Sequence, residues 1–224
     1  MTSVSSPPPY ARSFRPRRRG WSPERAEAYQ RLITQWSLDV EGSPLDLEKV
    51  FGAGAAVVLD IGFGGGEGLI DMAAARPGES IIGVEVHTPG VAKVLDAITE
   101  GGWQHVRVVE GDALDFLPRV PNGSLSVIRI WFPDPWLKNK QQHRRLVRAQ
   151  VVAALTDRLR VGGVLHVATD IAEYARHTEK VVATEQRLRG GVIERPEWRP
   201  VTRFERRGLV AGRAPTDLWY ERLS

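Results

Sequence analysis

Residues 57–72 read VVLDIGFGGGEGLIDM, and this stretch decides the fold. An apolar run interrupted only by Asp60 comes first, and glycine then takes five of the seven positions from Gly62 to Gly68. A short buried strand, a glycine turn and a helix form the opening unit of a nucleotide-binding α/β fold. Glycine is required because the chain must turn sharply and a ligand must approach the backbone with no Cβ in the way.

The spacing of these glycines distinguishes between ligands. The dinucleotide fingerprint needs glycine at the first, third and sixth positions, and counting from Gly62 places Glu67 at the sixth. The alternate glycines Gly62, Gly64 and Gly66, two residues after Asp60, resemble the first motif of Rossmann-like S-adenosylmethionine-dependent methyltransferases. An acid at the strand end suits a ligand with an ammonium and a sulfonium group better than a pyrophosphate. A turn without a ligand, or a dehydrogenase, stays open as an alternative on this stretch alone.

Composition excludes several classes of protein. The 224 residues include no cysteine, which excludes disulfides, thiolate metal sites and a thiol nucleophile, and with it pyrimidine C5 methylation through a covalent thioether. The five histidines show no HExxH-like pairing, so we predict no metal. No apolar run approaches the roughly 20 residues of a membrane span, and proline and serine stand where a signal peptide would be apolar. We therefore expect a cytoplasmic protein without a membrane partner.

The excess positive charge is concentrated at the N-terminus. Residues 1–20 hold five arginines and no acid, whereas residues 21–224 hold 26 basic and 27 acidic side chains. We predict a disordered basic tail over 1–20, which either binds a polyanion or only aids solubility, and a single domain over 21–224.

Acidic residues follow the next two predicted strands. Glu85 ends an apolar run 25 positions after Asp60, about where an open α/β sheet places an acid against a ribose. Asp112 follows the strand 106–109, where its carboxylate would accept from the exocyclic amine of adenine. Solvated turn acids are the plainer alternative for both.

The fourth predicted strand, residues 125–131, is followed by a stiff loop that carries an acid. Pro133 and Pro135 clamp Asp134 at the carboxyl edge of the sheet, beside the glycine turn, where a doubly wound sheet holds its reactants. Arg129 lies within this otherwise apolar and aromatic run, and the sequence offers no reason for it.

A basic segment, residues 137–148, follows with five cations and no acid. We predict that it enters the first turn of a helix that ends at 162–163, before a fifth strand over 164–168. Cations there oppose the helix dipole unless an anion binds, so the pattern favours a phosphate site over an ordinary solvated face. Near the end we predict a polar and aromatic loop over 202–208, between two last strands around 192–193 and 218–220.

Four pieces of sequence, in this order and spacing, resemble the bacterial tRNA (guanine-N7-)-methyltransferases. They are VEVHTPGV at 84–91, PDPW at 133–136 followed by Lys138 and a pair of arginines, ATD at 168–170, and T-x-F-E at 202–205. The match spans 57–221. It implies an α/β fold of the Rossmann-like class I methyltransferases, with a mostly parallel seven-stranded sheet and helices on both faces.

The resemblance also implies roles for residues. Those implied to bind S-adenosylmethionine are Asp60, Gly62, Gly64, Gly66, Glu85, Asp112 and Asp134. Those implied to contact the substrate are Lys138, Asp170, Thr202, Arg203, Phe204 and Glu205, and those implied to contact RNA are Lys140, His143, Arg144 and Arg145. Two positions depart from the family pattern, Gln141 and His143, and we expect weaker or pH-sensitive phosphate contacts there with the chemistry unaffected.

The implied reaction is methyl transfer to N7 of a guanine in the tRNA variable loop. Guanine N7 holds no proton, so no general base is needed, and we assign Asp134 as the catalytic group that stabilises the cationic product. The partner is tRNA, and a monomer or a homodimer is expected. The alternatives are an amino-directed nucleic-acid methyltransferase of the N6-adenine type and a non-catalytic RNA-binding protein on the same scaffold.

Overall fold

A computed structural model describes residues 20–224. The prediction of a disordered basic tail falls almost entirely on residues 1–19, outside the described part of the chain. Within residues 20–224, seven strands form one sheet, in the order β3-β2-β1-β4-β5-β7-β6. They are β1 (Ala56–Ile61), β2 (Glu79–Glu85), β3 (Val106–Glu110), β4 (Leu125–Trp131), β5 (Leu159–Thr169), β6 (Leu188–Ile193) and β7 (Thr216–Arg222).

Helices cover both faces of this sheet. They are α1 (Pro23–Trp36), α2 (Leu47–Phe51), α3 (Glu67–Ala75), α4 (Thr88–Gly101), α5 (Ala113–Phe116), α6 (Ala149–Arg158), α7 (Ala172–Val182) and α8 (Arg203–Val210). The apolar side chains of α1, α3 and α4 pack on one face and those of α5, α6 and α7 on the other. Strands β1 to β5 pair in parallel, and β7 runs antiparallel to both β5 and β6. The predicted mostly parallel seven-stranded sheet is confirmed.

The glycine turn forms as the sequence predicts. Ile61 ends β1, and α3 begins directly after Gly66, which takes a left-handed conformation (φ 87°) at the N-cap position. In the first turn of α4, a Cβ on Gly90 would lie 1.8 Å from the carbonyl oxygen of Gly64. Two glycines therefore let the turn and α4 touch backbone to backbone.

The boundary between α6 and β5 differs from the prediction. The helix ends at Arg158, and β5 begins at Leu159, which pairs with Leu125 of β4 and is fully buried. Gly162 and Gly163 therefore lie inside the strand rather than ending the helix. A Cβ on Gly163 would lie 2.9 Å from the carbonyl of Leu125, so the glycine marks an irregular, closely packed start of the strand.

One face of the sheet has a polar layer where β4, β5 and β7 lie side by side. Its members are Arg129, Trp131, His166, Asp217 and Trp219 from the strands, covered by Trp198 and Arg199. Both covering residues belong to the segment 194–202 between β6 and α8. A loop rather than a helix therefore closes this part of the sheet and carries the chain toward the carboxyl ends of the central strands.

Candidate active site

A cleft of about 340 Å³ opens at the carboxyl ends of β1, β2 and β4. This is the edge at which open α/β sheets bind their ligands, and the volume is in the usual range for small-molecule sites. The residues that line it include Gly62, Gly64, Glu85, His87, Gly111, Asp112, Phe132, Asp134, Trp136, Arg144, Arg203 and Phe204. A smaller adjoining pocket is lined by Asp60, Glu67, Thr202 and others.

Glu85 holds the glycine turn in shape. One carboxylate oxygen accepts from the backbone N–H of Gly64 at 2.6 Å, and the other accepts from those of Val86 and His87 at 2.7 and 2.9 Å. The Gly62 N–H donates to the carbonyl of Val84 at 2.8 Å. The acid at the end of β2 thus joins the turn to the start of α4, and it also lines the cleft.

Asp60 is buried beneath the turn, with 3% of its surface exposed. Burial raises the pKa of its carboxyl to about 6, the Arg129 guanidinium opposes that rise, and the nearby Glu85 adds to it. Asp60 and Arg129 are register partners on β1 and β4. Arg129 is also buried, and its Nη2 binds Glu79 Oε2 at 2.5 Å. Arg129, which the sequence alone did not explain, therefore places a positive charge beside the buried Asp60 carboxylate.

Asp112 serves as the N-cap of α5. It is buried, and its Oδ1 accepts from the Leu114 N–H at 2.9 Å while the residue lines the cleft. This hydrogen bond fixes the Asp112 carboxylate just beyond the carboxyl end of β3, which is the position that the sequence predicts for it.

The loop after β4 is held under strain on either side of Asp134. Phe132 and Trp136 have left-handed backbones, with φ of 54° and 41°, which side chains other than glycine rarely adopt and which cluster at functional sites. Asp134 faces the cleft and is exposed to solvent there, and partial burial of its carboxyl raises its pKa. The Arg144 guanidinium lies 5.3 Å from the Trp136 ring centre. Phe132 packs in part against the hydrophobic core, and it also lines the cleft.

The basic segment is arranged differently from the prediction. Of its five cations, Lys140 and Arg144 lie in a 3₁₀ helix, Asn139–Arg144. Helix α6 begins only at Ala149, with Arg148 as its N-cap residue, so none of the five occupies the first turn of that helix. Lys138, Lys140, His143 and Arg144 are exposed. Arg145 is 1% exposed, and its guanidinium makes two bonds to Glu173 at 3.1 and 2.7 Å and one to the carbonyl of Pro135.

The predicted loop 202–208 is mostly helix α8. Thr202 caps it by accepting from the Glu205 N–H at 3.1 Å, while Arg203 and Phe204 line the cleft. Glu205 is buried in ion pairs with Arg195 and Arg199.

Two comparisons with known sequences bear on this arrangement. A family model described as "Putative methyltransferase" matches residues 54–218. A tRNA (guanine-N(7)-)-methyltransferase of Xanthomonas campestris is 42% identical over 219 residues, covering 95% of this chain and 84% of the relative. A protein of the same name from Streptomyces avermitilis is 40% identical, with 95% and 75% covered.

The chain belongs to the tRNA (guanine-N7-)-methyltransferase family. Solved structures agree on the fold. The 16S rRNA methyltransferase KamB aligns with a TM-score of 0.59 at 15% identity, covering 82% of this chain and 96% of that one. The aminoglycoside-resistance methyltransferase NpmB1 aligns with a TM-score of 0.55 at 18% identity, covering 80% and 92%.

The structure places most, but not all, of the predicted site residues in the cleft or in its adjoining pocket. Those lining the cleft or its adjoining pocket are Asp60, Gly62, Gly64, Glu85, Asp112, Asp134, Arg144, Thr202, Arg203 and Phe204. Gly66 is buried at the start of α3. Those that do not line either are Lys138, Lys140, His143, Arg145, Asp170 and Glu205. Asp170 lies behind α8, where a Cβ on Gly208 would approach it to 2.5 Å and Arg213 binds it at 2.8 Å.

Sequence reasoning did not identify His87 and Gly111 as lining residues. Gly111 lies between Glu110 and Asp112 at the end of β3, and this pattern in the sequence could have identified it as a lining residue. Between residues 20 and 224, no His, Asp and Glu side chains come together as a metal-ion site. Within that same range, every helix is too short or too polar to cross a membrane.

Proposed function

We propose that the protein transfers the methyl group of S-adenosylmethionine to N7 of a guanine in the variable loop of tRNA. The observation that carries the proposal is that an acid-lined glycine turn and the proline-clamped Asp134 share one cleft. Relatives from two organisms, each covering most of the chain, bear the name of this activity. The variable loop as the target rests on the resemblance of the sequence motifs.

The backbone and the charges of the cleft support S-adenosylmethionine as its ligand. Gly62 has φ of 76°, and a Cβ there would meet no protein atom within 4 Å, so the turn presents bare backbone to open space. Glu85 and Asp112 line the same cleft and Asp60 lines the adjoining pocket, so carboxylates border this region, which suits a cationic ligand. When bound, S-adenosylmethionine supplies a methyl group activated on a positively charged sulfur.

Each acid has a proposed task. Asp60 faces the ammonium and sulfonium charges, and Asp112 accepts from the exocyclic amine of adenine. Glu85 accepts from the ribose hydroxyls through Oε2, because that oxygen accepts only from the Gly64 N–H and keeps a second lone pair, whereas Oε1 already accepts from two backbone N–H groups.

Asp134 is the proposed catalytic residue. Guanine N7 attacks with its own lone pair, so the protein must align that lone pair with the methyl group and stabilise the base as it becomes cationic. The Asp134 carboxylate accepts from guanine N1–H and the 2-amine, and the partly desolvated position that raises its pKa also strengthens its attraction for a developing positive charge. Asp170 lies behind α8 and is bound by Arg213, so its proposed contribution is indirect, through the position of that helix.

The surface around the cleft suits RNA. Lys138, Lys140 and Arg144 are exposed cations in the segment that follows Asp134, with the exposed His143 among them, and these four side chains would bind the tRNA backbone. Trp136, with Arg144 above its ring, offers a surface on which an extruded guanine can stack. On the opposite wall, we propose Thr202, Arg203 and Phe204 as substrate contacts. Arg145 and Glu205 are buried in ion pairs, so we propose that they act by holding neighbouring contacts in place.

The first experiment is methylation of unmodified tRNA transcripts with labelled S-adenosylmethionine, followed by chemical cleavage at N7-methylguanine. A single cut in the variable loop is the expected result. Label in the RNA without such a cut, with N6-methyladenine in the digest, would favour the amino-directed enzyme. No label on competent transcripts would favour the RNA-binding protein.

The role of Asp134 is tested by two substitutions. Asp134→Asn and Asp134→Ala are expected to lower kcat by about 10²-fold or more while S-adenosylmethionine affinity falls less, because the group acts on developing charge. Asp71→Asn, on the exposed side of α3, is the matched control and should be neutral. Wild-type turnover by Asp134→Ala would refute the assignment.

A further inference from the structure

Helix α8 forms one wall of the cleft, yet apolar packing does not explain how it is held there. Of its eight residues, Glu205 and Gly208 are buried. Its apolar residues face outward, with Leu209 50% and Val210 92% exposed. Nevertheless its Phe204 ring reaches the glycine turn, since a Cβ on Gly64 would lie 3.2 Å from that ring. Some other interaction must fix the helix against the turn.

The buried end of α8 is bound by ion pairs. Glu205 Oε2 accepts from Arg199 Nη1 at 2.7 Å, and Glu205 Oε1 accepts from Arg195 Nε at 2.6 Å. The side chains of Glu205 and Arg199 are 1% and 0% exposed. A carboxylate with so little water tolerates little displacement, because any movement leaves a buried charge unpaired.

The pairing continues from Arg199 into the sheet. Arg199 contacts both oxygens of Asp217 on β7, at 2.7 and 2.9 Å. Asp217 Oδ1 in turn accepts from His166 Nε2 on β5 at 2.7 Å. All three side chains are fully buried.

The last link reaches the loop that carries Asp134. Trp131 Nε1–H donates to His166 Nδ1 at 3.1 Å, so Nδ1 is the acceptor and the ring proton sits on Nε2, facing Asp217. Burial lowers the pKa of His166, which is consistent with a neutral ring. Trp131 ends β4, directly before Phe132 and two residues before the first clamping proline.

We propose that the series Glu205–Arg199–Asp217–His166–Trp131, the α8 tether, fixes the two walls of the cleft relative to each other. One end positions Phe204 and Arg203, and the other positions the Asp134 loop. Arg199 and Asp217 are then positioning residues for methyl transfer, a role that rests on the proposed function. Buried ionic series contribute little net stability compared with apolar packing, so geometric precision is a better reason for one here.

The test exploits the absence of cysteine from the chain. A single Leu209→Cys carries a spin label on α8, and its spectrum reports the motion of the helix in the folded protein. Asp217→Asn removes the charge between Arg199 and His166 with little change in shape. We expect a more mobile label, a kcat at least tenfold lower in the unlabelled variant, and a KM for tRNA within about threefold of the parent.

Controls separate positioning from general stability. Asp96→Asn breaks the Arg25–Asp96 pair between α4 and α1, and it should leave both the label and kcat unchanged. Arg199→Lys keeps the charge but loses the two-pronged contact, so it should fall between the parent and Asp217→Asn. If Asp217→Asn does not fold, Glu205→Gln tests the same link from the helix side.

A folded Asp217→Asn or Glu205→Gln with parental label mobility and parental kcat would overturn the tether. The label measurement needs no tRNA. A mobile label in the variant together with a parent that methylates no tRNA would therefore refute the proposed reaction and support the tether.

Discussion

Replacing the buried Asp60 with asparagine is expected to stabilise the ligand-free protein. The carboxyl has a pKa of about 6 in the folded protein, against 3.8 when unfolded. At pH 7 that difference makes the ionised group destabilising by about 3 kcal/mol, since one pKa unit corresponds to about 1.4 kcal/mol. Asparagine has nearly the same shape and no charge to desolvate. Allowing for its own polar groups, we expect a gain of about 1–3 kcal/mol in the free energy of unfolding.

The size of the effect depends on pH. Because the folded-state pKa is raised, the folded protein binds the Asp60 proton more tightly than the unfolded chain does. The penalty is absent below the unfolded value of 3.8, grows between 3.8 and about 6, and is fully present above about 6. Urea unfolding of parent and Asp60→Asn at pH 4 and pH 7 should therefore show a gain at pH 7 that shrinks toward pH 4.

Glu85→Gln is the contrasting control. The Glu85 carboxylate accepts from three backbone N–H groups, and an amide nitrogen in place of one oxygen would face one of these donors. We expect a loss of about 1–3 kcal/mol at pH 7, opposite in sign to Asp60→Asn. Both variants should bind S-adenosylmethionine more weakly. An Asp60→Asn protein less stable than the parent at pH 7 would refute the claim that this acid is kept at a cost for binding.

Three other predictions concern binding. S-adenosylmethionine affinity, measured by calorimetry, should fall about tenfold from pH 7 to pH 5 as Asp60 takes up its proton. Asp60→Asn should remove that pH dependence. An affinity of the parent that does not change with pH would contradict this prediction. Gly90→Ala should abolish cofactor binding, because its Cβ would lie 1.8 Å from a backbone oxygen of the glycine turn, whereas Gly78→Ala, with no atom within 4 Å, should be neutral in the same titration. Lys140→Ala and Arg144→Ala should each weaken tRNA binding and lower its salt slope by about 0.7–0.9, with cofactor affinity unchanged; an unaltered slope would remove that residue from the RNA interface.

Local patterns in the sequence are enough for much of the fold. Strands, turns and glycine spacing are local signals, and a parallel sheet brings the ends of successive strands to one edge. For that reason the sequence alone predicts that Glu85, Asp112 and Asp134 lie together. The resemblance to a family added the sheet size and the residue roles.

What the sequence did not reveal depends on contacts between distant residues. Arg145 looks like its exposed neighbours in the basic segment, but Glu173, 28 positions away, draws it into the interior. Arg129 makes sense only once β1 and β4 are paired in register with Asp60. Ion pairs rather than an apolar stripe hold helix α8 in place, so its sequence resembles a polar loop. Charge pairs leave no periodic signal, whereas apolar faces do.

The position of β7 has a consequence for the order in which the protein is assembled. Strand β6 is synthesised before β7, yet β7 lies between it and the rest of the sheet, so β6 has no partner until Thr216–Arg222 follows. The same residues bring Asp217, without which Arg199 and Glu205 would be buried charges with an incomplete set of partners. The non-local pairing of this strand is the kind of step that folds late. A nascent chain can thus form the glycine turn and the Asp134 loop early, while the wall that faces them forms only when the last strand enters the sheet.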